Sequence, residues 1–509
     1  MSRDLVIGID CSTSATKAIA WDARGRSVAE GRVAIAMSNP APGYFEQDPA
    51  EWWSSTAGAL RQIAGKIDPG RVAAIGISNQ RETFSFFTED GRALRPGMVW
   101  LDERARAQLH RFGRTFGAER VHAISGKPLD LVPPIYRMIW TSEVEPDVFA
   151  RAERITEVHG YLTFHLTGNW TTSTASADPT GALDMLKRDW SAEILDAIGV
   201  RRAQMPDLAA PGIQTGTLTA KAAEATGLPA GLPVIAGGGD GQCAGAGAGV
   251  SADHPDRAYI NLGTALVSGS YGSEYAHHRA FRTEIAIADR GYIFETCLRS
   301  GTFLVDWLAR ELFASGAASK GDLLIALEKE AAASPIGANG VVVVPYWQGC
   351  MTPYWDSSAR GVIAGLSGST RRGDLYRAFL EGVALEQTTC SNDVVKATGE
   401  PIDHFVAIGG GAASDLWVQI LADATGRPIQ RSDTVEASSL GAAIAAAKGA
   451  GWHRTIAEGV AAMAGKPVRT FEPDPKRAAR YAELRAIHAE LWPRLADWNG
   501  RLSKFAEQA

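Results

Sequence analysis

LVIGIDCSTSATKAIAWD (residues 5–22) runs as an apolar strand, an acid, a turn of small hydroxyl residues and a second apolar strand, and later the pattern returns. In AYINLGTALVSGSY (residues 258–271) a strand again leads into a polar residue, Asn261 in place of Asp10, then a Gly-Thr turn, then a strand. FVAIGGG (residues 405–411) holds the place in the second half that VAAIGIS (residues 72–78) holds in the first. This self-similarity reads as a diverged duplication whose break falls in the polar stretch 251–257.

A chain of 509 residues exceeds what one hydrophobic core spans. Two large α/β lobes are therefore expected, residues 1–251 and 252–509, with a cleft between them. The first lobe opens as a meander over residues 5–10, 17–22 and 27–35. Asp48 is read as a helix cap, with Pro49 in the first turn and Glu51 completing a capping box ahead of Trp52 and Trp53. From Asp474 the spacing is helical and Pro493 interrupts it, which predicts two packed helices on a lobe the sequence does not identify.

Composition excludes several classes. Hydrophobic residues at 45% and charged residues at 21% describe an ordinary globular α/β protein rather than a disordered one. The five cysteines, Cys11, Cys243, Cys297, Cys350 and Cys390, are scattered without a CxxC pair, so neither a disulfide framework nor a structural zinc site is supported and a reducing cytoplasm fits. A net charge of -6 without long charged runs disfavours a nucleic-acid partner, and no apolar stretch has the length of a membrane span. Export and membrane insertion are not expected.

The chemistry concentrates in glycine-rich and hydroxyl-rich turns at strand ends. Asp10, followed by Ser12, Thr13 and Ser14, offers a carboxylate to a hydrated magnesium ion and amides and hydroxyls to phosphate oxygens, although an ordinary hairpin turn has the same composition. Gly263-Thr264 in the second hairpin would face it and clasp a polyphosphate from the other lobe. No GxxxxGK[ST] occurs, since Gly126-Lys127 and Gly465-Lys466 are both followed by proline. Asp240 sits in PVIAGGGDGQCAGAGAG (residues 233–249), where a carboxylate can take the proton of an attacking hydroxyl or merely shape a turn. Gly239, Gly241 and Ala244 also fit the GxGxxA form of a dinucleotide fingerprint, but the next strand ends at the amide Asn261 rather than at an acid. Gly409, Gly410, Gly411 and Ala412 suit a flat ring lying on bare backbone, or close helix packing. Asn79, Gln80, Arg81 and Glu82 suit a polyhydroxylated ligand or a salt-bridged turn. His277-His278 lack partners at ligand spacing and read as loop residues.

Taken together, these segments resemble the FGGY carbohydrate kinases, over nearly the whole chain. IGIDCSTSATK resembles the first phosphate motif, DxGTSxxK, aligning Asp10, Thr13 and Lys17, with Ser12 where glycine is usual. GYFEQDPAEWW (residues 43–53) is similar to the family's early landmark, NLGT to its second phosphate loop and AIGGGAASDLWVQILADATGRPI to its adenosine motif. The two signature patterns are nearly matched: Arg137 stands where lysine is usual, and Phe379 where a smaller residue is usual.

The resemblance implies a two-lobed actin/hexokinase-type ATPase fold of duplicated ribonuclease H-like domains, with ATP and Mg2+ as cofactors. It implies that Asp240 is the general base and, with Asp10, helps place the magnesium. Ser12, Thr13, Ser14, Lys17, Gly263 and Thr264 would contact phosphates, Gly410, Gly411 and Ala412 the adenosine, and Gln80, Arg81, Glu82, Asp240 and Gln242 the acceptor. Phosphoryl transfer asks a protein mainly for positioning and charge neutralisation, which these residues supply. NQRET resembles glycerol kinases, whereas GLPAGLPVIAGGGD and the middle spacing resemble xylulose and related pentulose kinases. The acceptor expected is a pentulose such as xylulose, with glycerol or another polyol as the alternative. A regulatory ATPase of the same fold and a dinucleotide-dependent oxidoreductase are the competing classes. A homodimer is compatible with this reading; nucleic-acid and membrane partners are not.

Overall fold

The computed structural model describes residues 3–313 and 319–507. Strands β1 (Leu5–Cys11), β2 (Ala15–Asp22) and β3 (Ser27–Ala34) form the expected antiparallel meander. β4 (Val72–Asn79) lies parallel to β1, β6 (Pro233–Gly239) lies parallel to β4, and β5 (Gln214–Thr217) closes the edge antiparallel to β6. β1 and β4 are buried almost throughout, as befits central strands covered on both faces.

The second half repeats this order. β7 (Arg257–Leu262) pairs antiparallel with β8 (Leu266–Gly272), which pairs with β10 (Tyr292–Leu298), itself edged by β9 (Arg282–Ile285). On its other side β7 runs parallel to β11 (His404–Ile408), followed by parallel β12 (Ile429–Ser432) and antiparallel β13 (Pro467–Phe471). Three antiparallel strands, two parallel ones and an antiparallel edge thus recur in the same spatial order, and the duplication read from residues 5–22 and 258–271 is a duplication of sheets.

Helix α1 (Pro49–Ala64) carries the chain from β3 to β4. Asp48 caps it, accepting from Ala50 N at 2.9 Å. The capping box does not form: the Glu51 carboxylate instead accepts from Ala36 N at 2.7 Å and ties the helix start to the chain beyond β3.

The lobes are joined by two helices that exchange sheets. α3 (Asp240–Gly247) follows β6, yet its Ala244 packs with Tyr259 and Ile408 of the second sheet. α4 (Ala437–Gly449) follows β12, yet Ala442 to Ala447 join the core that contains Val6 and Ile19 of the first sheet. The break near residue 251 therefore separates the two sheets but not the two cores. The dinucleotide reading needed β6, a helix and a parallel strand of one sheet; here the strand after α3 is β7, in the other sheet.

The C-terminal helices α5 (Pro475–His488) and α6 (Leu491–Glu507) pack on the second lobe. Tyr481 Oη donates to Glu381 at 2.9 Å, and Trp492 packs edge-on against Tyr346. The chain breaks at Ala489 and Glu490 rather than at Pro493. Pro493 falls in the first turn of α6, where its missing N–H leaves no bond unmade. The five cysteines are free and buried. Among the described residues no helix is long and apolar enough to cross a membrane.

Candidate active site

The turns that end β1 and β7 open on one cavity of about 570 Å³ between the lobes. Thr13, Asp240, Gly263 and Thr264 all line it, together with Arg81 and Glu82. Ser12 closes the first turn in place of a glycine: its N and Oγ both donate to Ala15 O, at 3.0 and 2.8 Å. Its hydroxyl is thereby occupied, whereas Ser14 is exposed. Thr13 Oγ1 accepts from Trp100 Nε1 at 3.0 Å, which leaves its proton to donate. Thr264 is exposed, in a turn held where Gly301 N donates to its carbonyl at 3.0 Å.

Burial, reinforced by the charges of Asp240 and Glu436, pushes the Asp10 carboxyl up to about 7, against the opposing pull of Lys17 and a 3.3 Å hydrogen bond from Ser78 Oγ. Lys17 is itself paired with Glu436, just before α4, at 2.6 Å across the lobes. Acidic groups gathered at one strand end create a demand for a cation. Among the described residues no three His, Cys, Asp or Glu side chains converge in the manner of a protein-only metal centre. An ion that keeps most of its water and shares the oxygens of a nucleotide needs only one or two carboxylates, and Asp10 and Asp240 fit that demand.

Asp240 opens α3 with its side chain 40% exposed to the cavity. Oδ1 accepts from Arg81 Nε at 3.0 Å and from Gly241 N at 2.8 Å. Arg81 Nη1 donates to Glu295 at 2.9 Å, and Glu82 accepts from Arg282 Nη1 at 2.7 Å. Burial pushes the Glu82 carboxyl up to about 7 despite both arginines. Gln80 and Gln242 stay out of the cavity. Gln80 donates to Gln47 at 2.9 Å and accepts from Thr83, while Gln242 is fully buried and donates to Ala175 O and Glu284. Both amides brace the wall from behind.

Glu82 has φ +58, a left-handed conformation rare for a residue with a long side chain. Arg137 holds it there. This fully buried guanidinium, on α2 (Ile135–Val144), donates to Glu82 O at 2.7 Å and to Val99 O and Val132 O at 2.5 Å each, stapling together the segments that wall the cavity. Arg137→Met, which removes the guanidinium donors from Glu82 O and Val132 O and leaves Val99 O only Asp102 N, is expected to destabilise the protein by about 3 kcal/mol or more, read as a fall in the thermal midpoint.

In the second lobe, Gly409 has φ +82, and a methyl group there would lie 2.4 Å from Asn261 Oδ1. Gly410 to Ala412 turn immediately beyond it, with Gly411 against Leu262. The glycine run thus borders the end of β7, where the Gly263-Thr264 turn begins. His277 is partly buried beside Tyr275 and within 3.2 Å of Glu119, in no metal-binding group, and His278 is exposed.

Sequence reading missed Trp100, Arg282 and Glu295. The two charges were detectable as ionic residues within buried strands, Glu295 alone in its strand and Arg282 beside Glu284 in its own, an arrangement that requires partners.

A two-lobed duplicated fold whose two hairpin turns and Asp240 share one cavity has the architecture of an ATP-dependent sugar kinase. Residues 5–247 match the N-terminal domain of the FGGY family of carbohydrate kinases and residues 258–450 its C-terminal domain, and the chain belongs to that family. It is 32% identical to a xylulose kinase of Escherichia coli over 96% of this chain and 99% of that protein. It is 29% identical to a xylulose kinase of Bacillus subtilis over 98% of this chain and 99% of that one. The crystal structure of a xylulose kinase from Rhodospirillum rubrum superposes with a TM-score of 0.90 at 27% identity, covering 97% of this chain and 99% of that one.

Proposed function

We propose that this chain transfers the γ-phosphate of ATP, as its magnesium complex, to a hydroxyl of a pentulose such as xylulose in the cytoplasm. Residues 1–251 carry the acceptor and first phosphate turn, and residues 252–509 carry the nucleotide site. The observation that supports this most is the convergence of Asp240 with Thr13 and Thr264 on one cavity, one threonine from each duplicated hairpin. Asp240 is free to accept the acceptor's proton on Oδ2 while Arg81 and Gly241 fix Oδ1. Asp10 and Asp240 would hold a hydrated magnesium ion, which would supply charge neutralisation at the phosphates, while Thr13, Thr264 and neighbouring amides orient the phosphates. Lys17 anchors the strand beneath them.

A second reading, glycerol or another short polyol, is favoured by Arg81 and Glu82, both of which line the cavity. Purified protein with ATP, magnesium and a panel of xylulose, other pentuloses, glycerol and longer polyols separates the two. Acceptor-dependent ADP release is expected to be fastest with a ketopentose. A panel in which glycerol leads would replace the first reading with the second.

A further inference from the structure

In the wall of the cavity, which Arg282 also lines and behind which Glu295 lies, the charged side chains form one unbroken chain, and its middle comes from the lobe that does not carry the acceptor motif. Asp240 binds Arg81 at 3.0 Å, Arg81 binds Glu295 Oε2 at 2.9 Å, Glu295 Oε1 binds Arg282 Nε at 2.7 Å, and Arg282 binds Glu82 at 2.7 Å. Asp240, Arg81 and Glu82 belong to the first half. Glu295 and Arg282 are cross-strand partners on β10 and β9 of the second. Glu295 is fully buried, and Tyr259 Oη donates to the same oxygen that holds Arg81. Room for this arrangement depends on Gly241, where a methyl group would lie 2.7 Å from Glu295 Oε2 and 2.9 Å from Arg81 Nη2.

Buried ion pairs seldom stabilise a fold more than apolar packing of the same volume would, but removing one member strands the others at high cost. Such a chain is better explained by what it orients. Glu295 gives one oxygen to each arginine, so two guanidiniums that would repel are held apart at a fixed spacing, one against Asp240 and one against Glu82. We propose that Glu295 and Arg282 are positioning residues of the acceptor site, clamping Arg81 and Glu82 from the opposite lobe so that the site selects an uncharged polyhydroxy acceptor. With Glu284, whose Oε1 lies 3.2 Å from Arg282 Nε and 3.7 Å from Arg81 Nη1, four carboxyls surround the two guanidiniums, so neither of these arginines is left free to pair with an anionic substrate. The inference rests on the acceptor reading above, in which the substrate is a neutral sugar or polyol.

The test uses wild-type enzyme and variants with whichever neutral acceptor of the panel wild type turns over best. Glu295→Gln is expected to raise the acceptor KM roughly 10-fold or more while the ATP KM stays within about two-fold. Arg282→Met should match it, and Arg282→Lys, which keeps the charge, should recover part of the loss. A purely structural role would move both KM values together and would show no recovery by lysine, and that result overturns the proposal, as does an unchanged acceptor KM. If Glu295→Gln does not fold, the two Arg282 variants decide alone by the same criteria. Failure of the acceptor reading is seen separately on wild type, as turnover of sugar acids in preference to every neutral acceptor.

Discussion

Asp240→Asn is expected to lower turnover by roughly 10²-fold or more while ATP affinity stays near the wild-type value. The amide keeps an oxygen to accept from Arg81 and Gly241, so the start of α3 should hold its place, but no group remains to take the acceptor's proton. The side chain is 40% exposed and no apolar packing depends on it, so stability should change little. The loss is bounded because the transferring phosphoryl group demands little of its nucleophile, and most of the barrier is lowered by positioning and charge neutralisation. Steady-state kcat with calorimetric ATP titration checks both halves of the statement. Turnover within ten-fold of wild type would assign the proton to another group.

The halves of the molecule differ in how legible they were. The duplicated hairpins could be read because each combines an apolar run with a turn of small residues, and that local chemistry survives divergence between the copies. The exchange of α3 and α4 between sheets could not, because both helices are small-residue stretches whose apolar faces name no partner. Glu51 had the right spacing for a capping box and lost to a competing donor, Ala36 N, brought near by the chain leaving β3. Gln80 precedes Arg81 and Gln242 lies two residues after Asp240, but both point behind the wall. At a strand end adjacent residues face opposite ways, and in a helix residues two apart are about 200° apart around the axis. Arg282 and Glu295 were legible only as anomalies, since their first-lobe partners, Glu82 and Arg81 respectively, lie some two hundred residues away in the chain.

Gly441→Val is expected to be the most disruptive single change outside the site, destabilising the fold by about 3 kcal/mol or more, with soluble yield falling accordingly. Glycine within a helix is itself unfavourable by about 1 kcal/mol relative to alanine, so its presence inside α4 needs a reason. The reason is contact: even a methyl group at position 441 would lie 1.9 Å from the carbonyl oxygen of Cys243 on α3. Gly247 of α3 makes the reciprocal approach, with a methyl position 2.1 Å from Ala437 O, and Gly8 of β1 meets Ser439 O at 1.9 Å. These obstacles are backbone atoms of two helices already packed on opposite sheets, so neither can yield by a rotamer change. Separating them would also move Asp240, the first residue of α3, away from the Arg81–Glu295 pair, and Glu436, just before α4, away from Lys17. Gly441→Ala should therefore impair turnover as well as lower the thermal midpoint, with the valine variant worse in both. A valine variant that melts with wild type would mean that the helices slide freely past each other and that the lobes are not held at this crossing.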